Sequence, residues 1–132
     1  MLPRPPVLIG MRPRAYRDEM AGWLRGQGYD ALVMGAGREA VEFLMRTPGA
    51  VSFLDRDLER FDGEEVWRVV HPQGRHRLVL MAEERTTDLW LRALSEGVAT
   101  VLPLPSERDA VLYALRVALR GGRRGEPGPL HP

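Results

Sequence analysis

The sequence predicts an α/β fold in which a parallel five-stranded sheet lies between two layers of helices. Five short, mainly apolar runs recur along the 132-residue chain, and an amphipathic stretch with helical spacing follows each of them. Strands that are apolar throughout are buried on both faces, which is typical of parallel sheets covered by helices. The length fits one domain with a single core.

The predicted elements alternate along the chain. Strands are predicted at residues 7–11, 31–34, 51–54, 78–81 and 98–102, and helices at residues 16–24, 40–45, 64–70, 89–94 and 111–119. Gly26, Pro48 and Gly97 follow three of these helices and end them, and Ser106 can cap the fifth. Because crossovers between parallel strands are right-handed, the units favour a doubly wound, flavodoxin-like sheet of order 2-1-3-4-5.

Composition limits the classes of function. Nineteen basic and 18 acidic residues leave a net charge of +1, so no bulk charge drives binding to nucleic acid or to a membrane surface. All the cations are arginines, which excludes chemistry that depends on lysine. The lack of cysteine excludes disulfides and thiol chemistry. No apolar run approaches the roughly 20 residues of a membrane span, and no secretory signal opens the chain, so we expect a cytoplasmic protein.

The chain is expected to form one domain over residues 1–120. Residues 121–132 are rich in Gly, Pro and Arg, which indicates a flexible tail or a truncated linker. An output domain beyond such a linker would be the only route to nucleic acid. His71, His76 and His131 lack metal-ligand spacing, and the three tryptophans fall on amphipathic faces as core or interface anchors.

One carboxylate stands where chemistry collects in such a sheet. In the predicted order, strands one and three are neighbours, so Gly10, Met11 and Asp55 surround one crevice at the carboxyl ends of the strands. Asp55 ends the third strand, and Asp62-Gly63 gives a turn signal before the third helix.

These features resemble the CheY-like receiver domains of bacterial response regulators. The resemblance covers about residues 6–119. It depends on the spacing from Asp55 to Asp62-Gly63, on residues 35–40 opening the second helix, on the turn at residues 94–98 and on Leu104-Pro105. In that family an aspartate accepts a phosphoryl group, helped by an acidic pair that binds Mg²⁺, a Ser or Thr after strand four and a Lys after strand five. The resemblance implies that Asp55 is the phosphoacceptor position.

The other positions of that site depart from the family pattern. Gly10 and Met11 replace the acidic pair, Ala82 replaces the hydroxyl residue, Leu104 replaces the lysine before the retained Pro105, and Glu59 replaces a loop proline. Losing one preorganised donor typically costs roughly 10²–10³ in rate, so several losses together predict little catalysis. We therefore expect no enzyme activity, no cofactor and doubtful Mg²⁺ binding, with Asp55 and Asp57 as the weak candidates for a metal.

Other roles for these carboxylates also fit the sequence. Asp57 can be a solvated loop charge. Asp55 can bind its own loop amides, and an arginine such as Arg12 or Arg56 can neutralise it.

The resemblance implies an atypical receiver that works through protein–protein interaction without phosphorylation. A histidine kinase or another protein is the expected partner, and a homodimer through the fourth helix, fifth strand and fifth helix is possible. Candidates for that face are Trp90, Arg92, Ala93, Val101, Ser106, Asp109, Tyr113 and Arg116. Val101 stands where the family usually places an aromatic residue that swings on activation.

Two alternatives stay open. In the first, Asp55 is still phosphorylated weakly, and Asp57 helps to bind metal. In the second, Gly35-Ala36-Gly37, with Asp55 twenty residues beyond Gly35, serves as a dinucleotide-binding turn in a small nucleotide-binding module.

Overall fold

The computed structural model describes residues 4–73 and 77–120. The strands are β1 (Val7–Gly10), β2 (Ala31–Met34), β3 (Val51–Asp55), β4 (Arg77–Ala82) and β5 (Thr100–Pro103). The helices are α1 (Ala15–Gly26), α2 (Gly37–Arg46), α3 (Gly63–Val70), α4 (Thr87–Ser95) and α5 (Arg108–Arg120), with a 3₁₀ turn at His71–Gln73. The predicted tail, His76 and His131 lie outside the described residues.

The sheet has the predicted order β2-β1-β3-β4-β5, and every described pair of strands is parallel. Gly10 pairs with Leu54, Asp55 with Met81, and Ala82 with Pro103. This register brings the carboxyl ends of the central strands to one edge of the sheet, where the loops that follow them meet.

Alternation along the buried strands divides the apolar residues into two cores. Ile9, Phe53 and Val79 pack on one face with α1 and α5. Leu8, Leu54 and Leu80 lie on the other face with α2, α3 and α4. Both faces of the sheet are covered, which explains the apolar strands that the sequence displays.

Some predicted boundaries differ from the observed ones. Met11 follows β1, and β5 begins at Thr100, two residues later than predicted. Asp62 caps α3, because its Oδ1 accepts the Glu65 N–H at 2.9 Å. The prediction that Ser106 caps α5 is wrong, because its hydroxyl donates to the Pro103 carbonyl at 2.6 Å. Within the described residues, no helix is long and apolar enough to cross a membrane.

Candidate functional site

Asp55 ends β3 with a side chain that is almost fully enclosed. The residue is 1% exposed, and its Oδ1 accepts the N–H of Asp57 at 2.9 Å. This bond is the loop-amide role considered from the sequence. Oδ2 has no hydrogen-bond partner among the described residues. Burial raises the pKa of Asp55, while the Asp57 amide and then the Arg14 charge act to lower it. The site therefore holds a carboxylate whose charge is only partly compensated.

The cation beside Asp55 is Arg14. Its Nη2 lies 3.6 Å from Asp55 Oδ2 and 3.8 Å from Oε1 of Glu83, which follows β4. An arginine does lie beside Asp55, but choosing Arg12 or Arg56 for this role was wrong. Arg12 is exposed and acts on Asp55 more weakly than Arg14 does. Arg56 pairs with Glu64 at 3.4 Å and is committed to α3.

Four of the five replaced positions of the site, all but Glu59, lack charge and are buried. Met11, Ala82 and Leu104 are at most 4% exposed and belong to the two cores. A Cβ on Gly10 would lie 2.6 Å from Leu54 Cδ2, so any side chain at this point of β1 would require the end of Leu54 to move. Pro105 is retained in a cis peptide with Leu104. Buried apolar side chains therefore stand at positions where the family pattern has charge-handling ones.

Few oxygen ligands converge on Asp55. The Asp57 side chain is exposed, and Glu59, which stands at the loop-proline position, is exposed as well. The residues that the structure describes contain no group of three His, Cys, Asp or Glu side chains that could hold a metal ion. A hard divalent cation takes six or more oxygen ligands, so water or a partner would have to supply most of them.

Tyr16, in the first turn of α1, makes a long-range contact that sequence reasoning missed. Its hydroxyl donates to the Ser106 carbonyl at 2.7 Å and accepts the Ser106 N–H at 3.0 Å. Burial raises the pKa of Tyr16. Helical spacing marks Tyr16 as a core residue, and no local signal indicates a partner 90 positions away. The two bonds fasten α1 to the loop between β5 and α5.

The glycine-rich turn before α2 is filled by protein. The Gly37 N–H donates to the Glu59 carbonyl at 3.1 Å, and Ala36 pairs with Glu59 in an isolated bridge. A Cβ on Gly37 would overlap the carbonyl oxygen of Phe61. The loop after β3 thus occupies an amide donor of this turn and packs against it, which argues against the dinucleotide interpretation. This glycine permits close packing of two protein segments.

A network of charged residues joins α3 to α4. Glu64 accepts two hydrogen bonds from Arg92, at 2.9 and 3.1 Å, and lies 3.6 Å from Arg68. These bonds from Arg92 are the main cause that lowers the pKa of Glu64. The indole N–H of Trp67 donates to the Glu96 carbonyl at 2.7 Å. The position of α4 is therefore fixed against α3.

The surface made by α4, β5 and α5 contains only part of the predicted set. Tyr113 is 57% exposed, Arg116 and Asp109 are exposed, and Trp90 is half-buried. Three of the candidates are wrong because they are buried within the domain: Val101, Ala93 and Ser106. Arg92 is exposed but turns toward Glu64 on α3. Leu91, at 59% exposure, was not predicted, because helical spacing alone did not show which side of α4 faces solvent.

The strand order and the helices on both faces make the chain a doubly wound, flavodoxin-like α/β domain with an aspartate at the end of β3. The chain has the fold of CheY-like response regulator receiver domains. Solved structures with this fold cover about nine-tenths of the chain at identities of 15–22%. At that identity, the comparison establishes the fold alone.

Three of these structures show the extent of the likeness. A CheY-like response regulator receiver domain protein from Methanospirillum hungatei JF-1 is 15% identical, with a TM-score of 0.80 over 89% of this chain and 95% of that one. A sensor protein from Polaromonas sp. JS666 is 22% identical, with a TM-score of 0.80 over 92% of this chain and 100% of that one.

The third is the receiver domain of a sensor histidine kinase from Pseudomonas aeruginosa PAO1, whose structure has magnesium coordinated in the active site cleft. It is 18% identical, with a TM-score of 0.77 over 88% of this chain and 98% of that one. No protein-family model and no curated protein sequence matches the chain.

Proposed function

We propose that this domain is an atypical receiver of the two-component type that works by protein–protein interaction and without aspartyl phosphorylation. The observation that carries the proposal is the surroundings of Asp55. This carboxylate is enclosed beside Arg14, while Gly10, Met11, Ala82 and Leu104 replace the groups that would bind a metal and a phosphoryl group. In this proposal the domain has no catalytic activity, needs no cofactor and acts in the cytoplasm.

The chemistry of phosphoryl transfer supports this proposal. Transfer to a carboxylate depends almost entirely on positioning and on neutralising the charge of the phosphoryl oxygens. Arg14 is the one cation within 4.0 Å of the Asp55 carboxylate among the described residues, and it is shared with Glu83. A single shared guanidinium leaves most of the charge of an incoming phosphoryl group uncompensated.

The partner surface in this proposal is the exposed part of α4, β5 and α5. Leu91 and Tyr113 contribute apolar area, and Arg116 contributes positive charge. Aromatic residues and arginine are enriched at protein interfaces, where they carry much of the binding energy. The partner is a protein, either a histidine kinase or a second copy of the domain.

The test of phosphorylation is a backbone amide NMR titration with Mg²⁺ and then with beryllofluoride, which mimics an aspartyl phosphoryl group. We expect no saturable shifts at Asp55, at Asp57 or along β5. Saturable shifts that spread from Asp55 toward α4, and that disappear in Asp55→Asn, would overturn the proposal. They would favour the alternative in which Asp55 is still weakly phosphorylated.

The test of the surface is the oligomeric state measured by light scattering during gel filtration. If a second copy is the partner, Tyr113→Ser should weaken the dimer by about fivefold or more, because interface anchors typically cost more than about 1 kcal/mol. Met45→Ser is the matched control, since Met45 is 47% exposed on α2, away from this surface. A dimer that Met45→Ser weakens as much as Tyr113→Ser would contradict the assignment.

A further inference from the structure

We propose that Arg14, which precedes α1, and the first turn of α1 form a permanent brace that holds the carboxyl ends of β3, β4 and β5 in one arrangement. The brace consists of Arg14, which contacts Asp55 and Glu83, and Tyr16, which contacts Ser106. This inference rests on the proposed function and deepens it. It names the contacts that keep the loop arrangement fixed without a phosphoryl group.

The Arg14 arm joins two strand ends through one guanidinium. Its Nη2 lies between Asp55 Oδ2, at 3.6 Å, and Glu83 Oε1, at 3.8 Å. The Asp55 contact is the stronger Coulombic attraction of the two, because that side chain is enclosed and little screened by solvent. The Glu83 side chain is 59% exposed, so this contact contributes little energy and mainly directs the loop after β4.

The Tyr16 arm joins α1 to the strand end on the other side of β4. One hydroxyl satisfies both the N–H and the carbonyl of Ser106, at 3.0 and 2.7 Å. Ser106 is 8% exposed, so a backbone that lost both bonds would have to reach water or stay unsatisfied. Removing this hydroxyl therefore frees the loop that follows Pro105.

Arg14 and Tyr16 extend from a turn that is itself held by hydrogen bonds and by a ring contact. Arg17 donates through Nη1 to the Met11 carbonyl at 3.1 Å, and the Arg17 N–H donates to the Arg14 carbonyl at 3.1 Å. The Tyr16 ring packs edge-on against Trp23, with the ring centroids 5.9 Å apart. Because the base of the brace is rigid, a displacement of one strand end is resisted by the others.

The test compares Arg14→Gln and Tyr16→Phe with matched controls in the same regions. Arg12→Gln removes a neighbouring arginine that is exposed, and Tyr113→Phe removes the hydroxyl of an exposed tyrosine. Tyr16→Phe removes a single oxygen atom, and the Arg14 side chain is 29% exposed, so both variants should fold. Arg14→Lys restores the charge without the planar fork.

We expect each substitution to affect the loop that the replaced side chain contacts. Arg14→Gln should raise the pKa of Asp55, followed by carboxyl carbon NMR, and lower the backbone order parameters of residues 83–85. Arg14→Lys should bring the Asp55 titration back toward that of the natural domain. Tyr16→Phe should speed amide hydrogen exchange at Ser106 by about tenfold, as expected for one lost hydrogen bond.

Two results would overturn the brace. One is an Arg14→Gln variant in which residues 83–85 keep their order parameters. The other is an equal effect of the controls Arg12→Gln and Tyr113→Phe. A response of the natural domain to beryllofluoride would refute the proposed function instead, and these variants would still decide whether the brace exists.

Discussion

Replacing Gly37 by alanine tests whether the loop after β3 packs onto the start of α2 as closely as the structure indicates. The added Cβ would overlap the Phe61 carbonyl oxygen, which is a backbone atom and cannot turn aside as the end of a side chain can. The loop would have to move away from α2. That movement would break the bond from the Gly37 N–H to the Glu59 carbonyl and the bridge between Ala36 and Glu59.

The expected cost of Gly37→Ala comes from two terms. Forcing extra atoms into a packed region typically costs about 1–3 kcal/mol, and one lost hydrogen bond adds about 0.5–1.5 kcal/mol. Alanine offsets at most about 1 kcal/mol of this cost, because the unfolded chain then has less backbone entropy to lose on folding. We therefore expect a net loss of about 2–3 kcal/mol in the free energy of unfolding. Gly22→Ala is the control, because a Cβ there meets no atom within 4 Å and the helix should gain about 0.5–1 kcal/mol.

The assay is urea unfolding, followed by circular dichroism and by tryptophan fluorescence. With a slope of about 1–3 kcal/mol per molar urea, the midpoint of Gly37→Ala should fall by roughly 1–2 M. The midpoint of Gly22→Ala should stay level or rise. A Gly37→Ala midpoint within about 0.3 M of the natural protein, at an unchanged slope, would show that the loop does not lie against α2 and would refute the reasoning.

Three further predictions concern single residues. Arg60 has a φ of 65°, a left-handed conformation that asparagine adopts more easily. Arg60→Asn should therefore raise the free energy of unfolding by about 0.5–1 kcal/mol. A lower free energy of unfolding in urea would contradict this prediction. Burial raises the pKa of Asp55, so its contribution to stability is complete below the unfolded pKa and declines as pH rises through the folded pKa. Asp55→Asn should therefore be more stable than the natural domain at about pH 7 and lose that advantage at about pH 3. An equal difference in the midpoint of thermal unfolding at the two pH values would contradict this prediction. Hydrogen bonds from Arg92 lower the pKa of Glu64, so its contribution is present above the unfolded pKa and declines as pH falls through the folded pKa. Glu64→Gln should lose about 1 kcal/mol near neutral pH and match the natural domain in acid, as measured by unfolding across pH.

The sequence predicted the fold well because the strands and helices carry local signals. Apolar runs such as residues 51–54 and the glycines after helices depend on a few neighbouring residues, and the crossover rule then selected the strand order. The predicted ends of the strands were less accurate. Met11 was included in the first strand because it is apolar, but a buried residue just after a strand is apolar as well. Asp55 was located because its position follows directly from the end of β3.

The partners of Asp55 could not be predicted in the same way. Arg14 and Arg12 are both arginines in one loop, and only the start of α1 decides which of them reaches Asp55. Tyr16 meets Ser106 across 90 positions, which no local pattern reveals. Val101 was taken for a surface residue because a strand covered by helices gives no periodic signal that separates its faces.

Three buried apolar residues stand at positions where the family pattern has an acidic, a hydroxyl and a lysine side chain. Met11 and Leu104 belong to one core and Ala82 lies in the other, so these residues now contribute to folding. Placing an aspartate or a lysine at one of them alone would bury a charge in a packed apolar interior. Each single substitution toward the family pattern is therefore expected to give a less stable protein. In the proposed function, selection for stability alone is enough to keep the domain from acquiring a phosphoryl-transfer site.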